Sequence, residues 1–229
     1  MNLNYKFIES VIIDLSKVRP VFHSEDDFKF ALAWALKAKE NRVDVHLERK
    51  MATFEKGKRN VREYIDLYLL DEGEPVGIEL KYYTSELKCH YGNDTFTLTT
   101  HGAQDQRAYD SLKDIQRLEQ YIKASNIVKG FTVWLTNSKV YWEGGSGSRT
   151  VYDAFKISEE AVISGIRNWG SEASESTKRG RTKALSFLNT YKIKWRDYAN
   201  LEKLPDCHPK KNSLFRFALQ EIPSPEIIA

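Results

Sequence analysis

The sequence predicts an α/β domain with a mixed central β-sheet flanked by helices, and three observations predict it. A capped helix signal opens at Ser24, three apolar–polar alternations follow, and a long amphipathic segment then leads into a further strand. That order suggests a mixed sheet.

Size and composition permit such a domain. A chain of 229 residues is long enough for one generous domain, or for a domain with an appendage. With 41% hydrophobic and 29% charged residues, the composition excludes a disordered chain. The net charge of +3 gives no overall pull on a polyanion, so any nucleic-acid surface requires basic groups gathered locally. Cys89 and Cys207 show no metal-ligand spacing, which predicts free thiols in a reducing compartment. No leader-like N-terminus and no long apolar run occur, so no membrane partner is expected and a cytoplasmic location is.

Taken in order, Phe7, Val11 and Leu15 hint at a first helix. Ser24 and Asp27 form a capping-box-like pattern for a second, which runs through Lys39. Apolar residues from Phe28 to Leu36 cover most of its circumference, so this helix is expected to be buried. The segments Val43–Glu48 and Tyr64–Leu69 alternate as half-buried strands, joined by a strongly basic link from Arg49 to Arg62. A turn at Asp71–Pro75 leads into Val76–Tyr83, which reads as the second arm of an antiparallel hairpin. After a polar stretch, a helix over 103–124 carries the stripe Ala108, Leu112, Ile115, Leu118 and Ile122, and a strand over 130–135 follows it. The chain divides near residue 150: residues 1–150 form the core, and 151–229 form an extension, part of the same domain or a recognition or dimerisation element. Alternations over 191–198 and 214–220 read as strands of the same sheet or as a small cap.

The hairpin carries the chemistry. Residues two apart share a strand face, so Glu79 and Lys81 project together. Asp66 on the partner arm joins them if the register sets it beside Glu79, with Ile65, Leu67 and Leu69 facing the opposite layer. Two carboxylates this close repel unless a cation lies between them, and oxygen ligands suit magnesium or manganese. In such a centre Lys81 orients a water or stabilises transition-state charge, which fits phosphodiester hydrolysis.

Asp66, twelve intervening residues, and then Glu79-Leu80-Lys81 resemble the core signature of the PD-(D/E)XK nuclease superfamily. The resemblance spans about Val21 to Thr136 and implies a restriction-endonuclease-like core. It departs from the family formula at Ile65, which stands where the name-giving proline would be. By position it implies Asp66 and Glu79 as metal ligands, the Leu80 backbone carbonyl as another, and Lys81 as the catalytic lysine. Some branches use an acid on the first core helix, which here corresponds to Glu25. The start of the long helix often lies beside the site in this fold class, which makes Gln104 and Arg107 candidate phosphate or water contacts.

Other polar groups are read more plainly. His23 is expected to serve as a local hydrogen-bonding partner, and Asp114, Arg117 and Glu119 as a salt-bridge set. Arg49 and the basic residues after it, and the run Lys178–Lys183, could neutralise phosphates or form solvated loops. The glycine–serine stretch at 144–148 lacks the lysine and hydroxyl of a phosphate-cradling loop. The sequence thus points to a magnesium-dependent nuclease acting on DNA, cutting within strands, and able to work as a homodimer. The alternatives are a nucleic-acid-binding or assembly module without catalysis and, less well supported, an enzyme acting on a small phosphorylated substrate.

Overall fold

Local capping starts the two N-terminal helices. Asn4 accepts the Phe7 N–H ahead of α1 (Tyr5–Val18), and Ser24 accepts the Asp27 N–H ahead of α2 (Glu25–Lys39). The computed structural model describes residues 3–51, 54–56, 59–61, 63–144, 151–204 and 206–223. Strands β1 (Asp44–Lys50), β2 (Phe54–Lys56), β3 (Arg59–Val61), β4 (Tyr64–Asp71) and β5 (Glu74–Tyr83) come next, with β2 and β3 paired inside the basic link. Glu72 and Gly73 join β4 to β5 at φ of 53° and 88°, the left-handed pair that matches a tight turn to the twist of its strands.

A second hairpin, β6 (Leu87–Tyr91) with β7 (Asp94–Leu98), precedes α3 (Gln104–Lys123), β8 (Lys129–Thr136) and α4 (Val140–Glu143). The chain then forms β9 (Val162–Arg167), α5 (Glu175–Lys178), β10 (Leu185–Lys192), β11 (Trp195–Asn200) and β12 (Leu214–Ile222). Six strands build one sheet in the order β1-β4-β5-β8-β12-β11. β5 and β8 run parallel across the α3 crossover, and the other neighbours are antiparallel, so the α/β class and the mixed sheet are present. The segment after residue 150 contributes β11 and β12 to this same sheet, while β9 and β10 pair separately.

Each face of the sheet has its own core. On one side α1 and α2 pack Ile8, Ile12, Phe28 and Leu32 against Leu67, Ile78, Leu80, Val133 and Phe217. On the other, α3 packs Leu112, Ile115 and Leu118 with Ile65, Tyr83, Trp134 and residues of β9 and β10. The sequence expectation for α2 needs correction: Phe30 and Trp34 are 59% and 79% exposed, because the sheet covers only the stripe through Phe28, Leu32 and Leu36. So does the expectation for β4, where Ile65 faces α3 while Leu67 and Leu69 face α1 and α2. The alternation resets at Asp66. Opposite it, Glu48 takes a left-handed φ of 49°, while the register on either side, Leu47↔Leu67 and Arg49↔Ile65, stays unshifted.

Two glycines set the height of α3. Gly77 and Gly130 are neighbours across β5 and β8, and Leu118 lies where their side chains would be: an added Cβ would come within 3.3 Å of it at Gly77 and 3.1 Å at Gly130. Glycine in the strand interior therefore allows close approach of the helix. The seat matters because Asp114 and Arg117 lie within one turn of Leu118 and are carried to the sheet with it.

The thiols also meet. An antiparallel bridge between Lys88 and His208 sets Cys89 opposite Cys207, both buried and free. Burial and the neighbouring thiol push Cys89 up to about 11. Side-chain alternation sends His90 and His208 to the other face, so the two Cys-His pairs do not converge as one ligand set. No helix among the described residues is long and apolar enough to cross a membrane.

Gly77→Ala tests the seat. Its Cβ would come 2.3 Å from Ile65 Cδ1, so overpacking is expected to cost about 1–3 kcal/mol, read as a lowered urea midpoint. An unchanged midpoint would mean that α3 does not depend on this close approach.

Candidate functional site

The site begins where β4 stops and β5 continues. Their ladder ends at Leu67↔Ile78, one residue short of Asp66 and Glu79. Beyond that point carboxylates replace the missing strand. Asp66 Oδ2 accepts the Leu80 N–H at 2.8 Å, and Glu25 Oε2 accepts the Tyr82 N–H at 2.8 Å. Glu25 reaches this edge because Ser24 starts α2 there. Asp66 is held from the other side by Lys29, whose Nζ lies 3.5 Å from Oδ1, 3.0 Å from Asp26 and in contact with Glu48.

Glu79 and Lys81 project from the α3 face of β5, as the strand period expects. Glu79 is 2% exposed and pairs with Arg117. Arg117 lies 3.3 Å from Asp114, and Asp114 lies 2.9 Å from Lys81 Nζ. Lys81 Nζ also donates to the Leu80 carbonyl at 2.9 Å. The result is a chain of alternating charge, Glu79–Arg117–Asp114–Lys81, that turns back to β5. The sequence reading set Asp66 and Glu79 on one face of a regular hairpin. Here Asp66 lies along the open edge of β5, while Glu79 points to the helix.

Burial dominates the electrostatics. It pushes the Glu79 carboxyl well up against the pull of Arg117, with Asp114 and Asp66 adding to the rise. It also raises Glu25, opposed by Lys81 and the Tyr82 N–H. For Lys81 burial favours the neutral amine, but Asp114 and then Glu25 outweigh it and hold the pKa well above the ordinary lysine value. Mutual effects among Glu25, Asp66, Glu79, Asp114 and Lys81 mark one electrostatic unit.

The donor set is chemically suited to a hard dication. Glu25, Asp66, Glu79 and the Leu80 carbonyl offer oxygen alone. Glu79 Oε1 is buried without a hydrogen-bond partner, and Thr132, next to Glu79 on β8, has an unpartnered buried hydroxyl. Among the described residues no three acid, histidine or cysteine side chains form a ready-made cage. Glu25 and Asp66 instead face backbone N–H groups, and Glu79 faces Arg117.

The outer residues lie apart from this unit. Arg107 donates to the Gly102 carbonyl at 2.9 Å and lies over the Tyr83 ring. Gln104 lines a small hollow with Val140, Tyr141 and Tyr152 that includes none of the acids. Arg49 stacks on Tyr68, 3.7 Å from the ring centroid. His23 stacks on Phe96 and donates its N–H to Asp27. A hollow of about 210 Å³ opens beside Glu25, bounded by His23, Thr97, Thr99 and His101. Of the basic runs, Arg181 is tied to Asp110 at 2.8 Å and Lys178 to Glu175 at 2.7 Å. The side chains of the basic link at 52–62, and the glycine–serine stretch at 145–148, lie outside the described residues.

Sequence reasoning placed Asp114 and Arg117 in a salt-bridge set but not in the site, and it did not single out Lys29. A signal existed for Asp114. It follows Ser111 by three residues and precedes Leu118 by four, a spacing that aligns it with a buried stripe of α3. Glu119, from the same set, instead accepts the N–H groups of Leu188 and Asn189 and fastens β10 to α3.

No family model, curated protein or solved structure matches the chain.

Asp114→Ala would leave Lys81 and Arg117 facing each other without their shared acid. A loss of about 3–5 kcal/mol is expected from chemical denaturation. A loss below about 1 kcal/mol would show that solvent already screens the unit, as it does surface pairs.

Proposed function

We propose that this protein is a divalent-metal-dependent nuclease that hydrolyses phosphodiester bonds in DNA, with Glu25, Asp66, Glu79 and the Leu80 carbonyl as the metal-holding set. The observation that carries this reading is the meeting on β5 of two edge acids, Asp66 and Glu25, with Glu79 and Lys81 on its α3 face, where one Glu79 oxygen is buried and unpartnered. Acids so placed oppose one another and gain from a cation.

When bound, magnesium or manganese supplies Lewis-acid stabilisation of charge on the scissile phosphate. The chain supplies the rest. Lys81 Nζ has three N–H donors, one given to the Leu80 carbonyl, and lies 2.9 Å from Asp114 as an ion pair, so donors remain to serve the phosphate or the attacking water. Asp114 keeps this ammonium charged and aimed. Asp66 and Glu25 fix the edge of β5 and hence the Leu80 carbonyl. The hollow beside Glu25 gives the substrate strand a path to this edge. Arg49, Gln104 and Arg107 are secondary contacts to DNA in this reading. A homodimer would bring a second centre to the opposite strand of a duplex.

A second reading is a nucleic-acid-binding module without catalysis. It is favoured by the internal pairing of Glu79 with Arg117 and of Lys81 with Asp114, which gives both groups a structural role. It predicts salt-dependent DNA binding that survives Asp66→Asn and needs no metal.

Incubation with plasmid, linear duplex and single-stranded DNA in magnesium or manganese separates the two readings. The nuclease reading expects cleavage abolished by chelation and slowed by about 10² or more in Lys81→Ala. Equal background nicking by both proteins would refute it.

A further inference from the structure

Arg117 stands where a cation is called for. It comes from α3, its guanidinium contacts Glu79 Oε2, and Glu79 is almost wholly removed from water. A carboxylate so buried stays ionised only beside a positive group. Around it four acids, Glu25, Asp66, Glu79 and Asp114, meet three bases, Lys29, Lys81 and Arg117, and Lys29 is shared further with Asp26 and Glu48. Acids therefore outnumber bases even with Arg117 in place.

We propose that Arg117 is the internal counter-ion of this centre: it occupies Glu79 in the free protein and competes with a divalent cation for that carboxylate. The inference rests on reading the site as a metal centre. Three features support it beyond the contact itself. Arg117 Nε is buried without a hydrogen-bond partner, so the guanidinium is not fastened on every side. Asp114, already 3.3 Å away, can retain the guanidinium when it leaves Glu79, so displacement does not strand a bare charge. Charge balance favours competition as well. The unit holds an excess of acids with Arg117 present, and one negative charge more without it, so loss of the guanidinium favours a dication.

The test is manganese binding to the full chain, by calorimetry and by electron paramagnetic resonance of free Mn2+, with folding checked by circular dichroism. Arg117→Met is expected to bind Mn2+ at least about tenfold more tightly than the unsubstituted protein, because a like charge next to the ligand is gone. Arg117→Lys should stay close to the original affinity, and Arg117→Gln provides a second neutral variant should Met disturb folding. Equal or weaker binding by a folded neutral variant overturns the proposal. In the unsubstituted protein, the Arg117 Nε–H resonance should shift as Mg2+ is added; an unmoved resonance at saturation also overturns it. Asp66→Asn distinguishes loss of the counter-ion role from loss of the metal centre. If it weakens Mn2+ binding while Arg117→Met changes nothing, the metal centre stands and the counter-ion does not. If Asp66→Asn leaves Mn2+ binding unchanged in both backgrounds, the metal-centre reading itself fails.

Discussion

β5 continues past the end of β4, and the backbone N–H groups of Leu80 and Tyr82 must find acceptors outside the ladder. An unpaired buried N–H costs about as much as a lost hydrogen bond or more. This protein meets the need with Asp66 and Glu25, one carboxylate from the departing strand and one from the first turn of α2. That choice determines much else. It brings two acids to the edge of a strand whose next residues are Glu79 and Lys81, and it demands positive charge nearby. Lys29 answers from α2, and Lys81 and Arg117 answer from the α3 side.

The other half of the arrangement depends on how closely α3 can sit. Leu118 rests against Gly77 and Gly130, and the residues one turn before it reach the side chains of β5. Packing and electrostatics are therefore joined: the glycines that admit the helix also admit its Arg117–Asp114 pair to a water-poor face. Charge in such a place is expensive, and the unpartnered Glu79 and Thr132 oxygens show that the network is not saturated by protein groups alone. A framework built only for stability gains little from this, because apolar residues fill such positions with no loss of stability.

What the sequence revealed was local. The Ser24 cap, the Glu72-Gly73 turn, the length of α3 and the shared direction of Glu79 and Lys81 all follow from residue type and spacing over a few positions. What it concealed was relational. Ile65 turns to the α3 side although Leu67 and Leu69 do not, at the point where Glu48 on the neighbouring strand takes a left-handed φ. Trp34 and Phe30 are as apolar as their neighbours, yet the sheet covers only one stripe of α2. Arg117 reads as an ordinary helix-surface residue until the glycines of β5 and β8 are seen side by side. For the same reason the candidate site was legible in its acids and lysine, but not in the groups that hold them.

In the proposed nuclease, Asp66 at the open edge of β5 and Glu79 on its α3 face share one divalent cation. The most direct measurement is anomalous diffraction from crystals containing Mn2+. One strong peak is expected about 2.0–2.4 Å from oxygens of Asp66 and Glu79 and from the Leu80 carbonyl, with Arg117 displaced from Glu79 toward Asp114. A peak elsewhere, or none while Arg117 still holds Glu79, would contradict it.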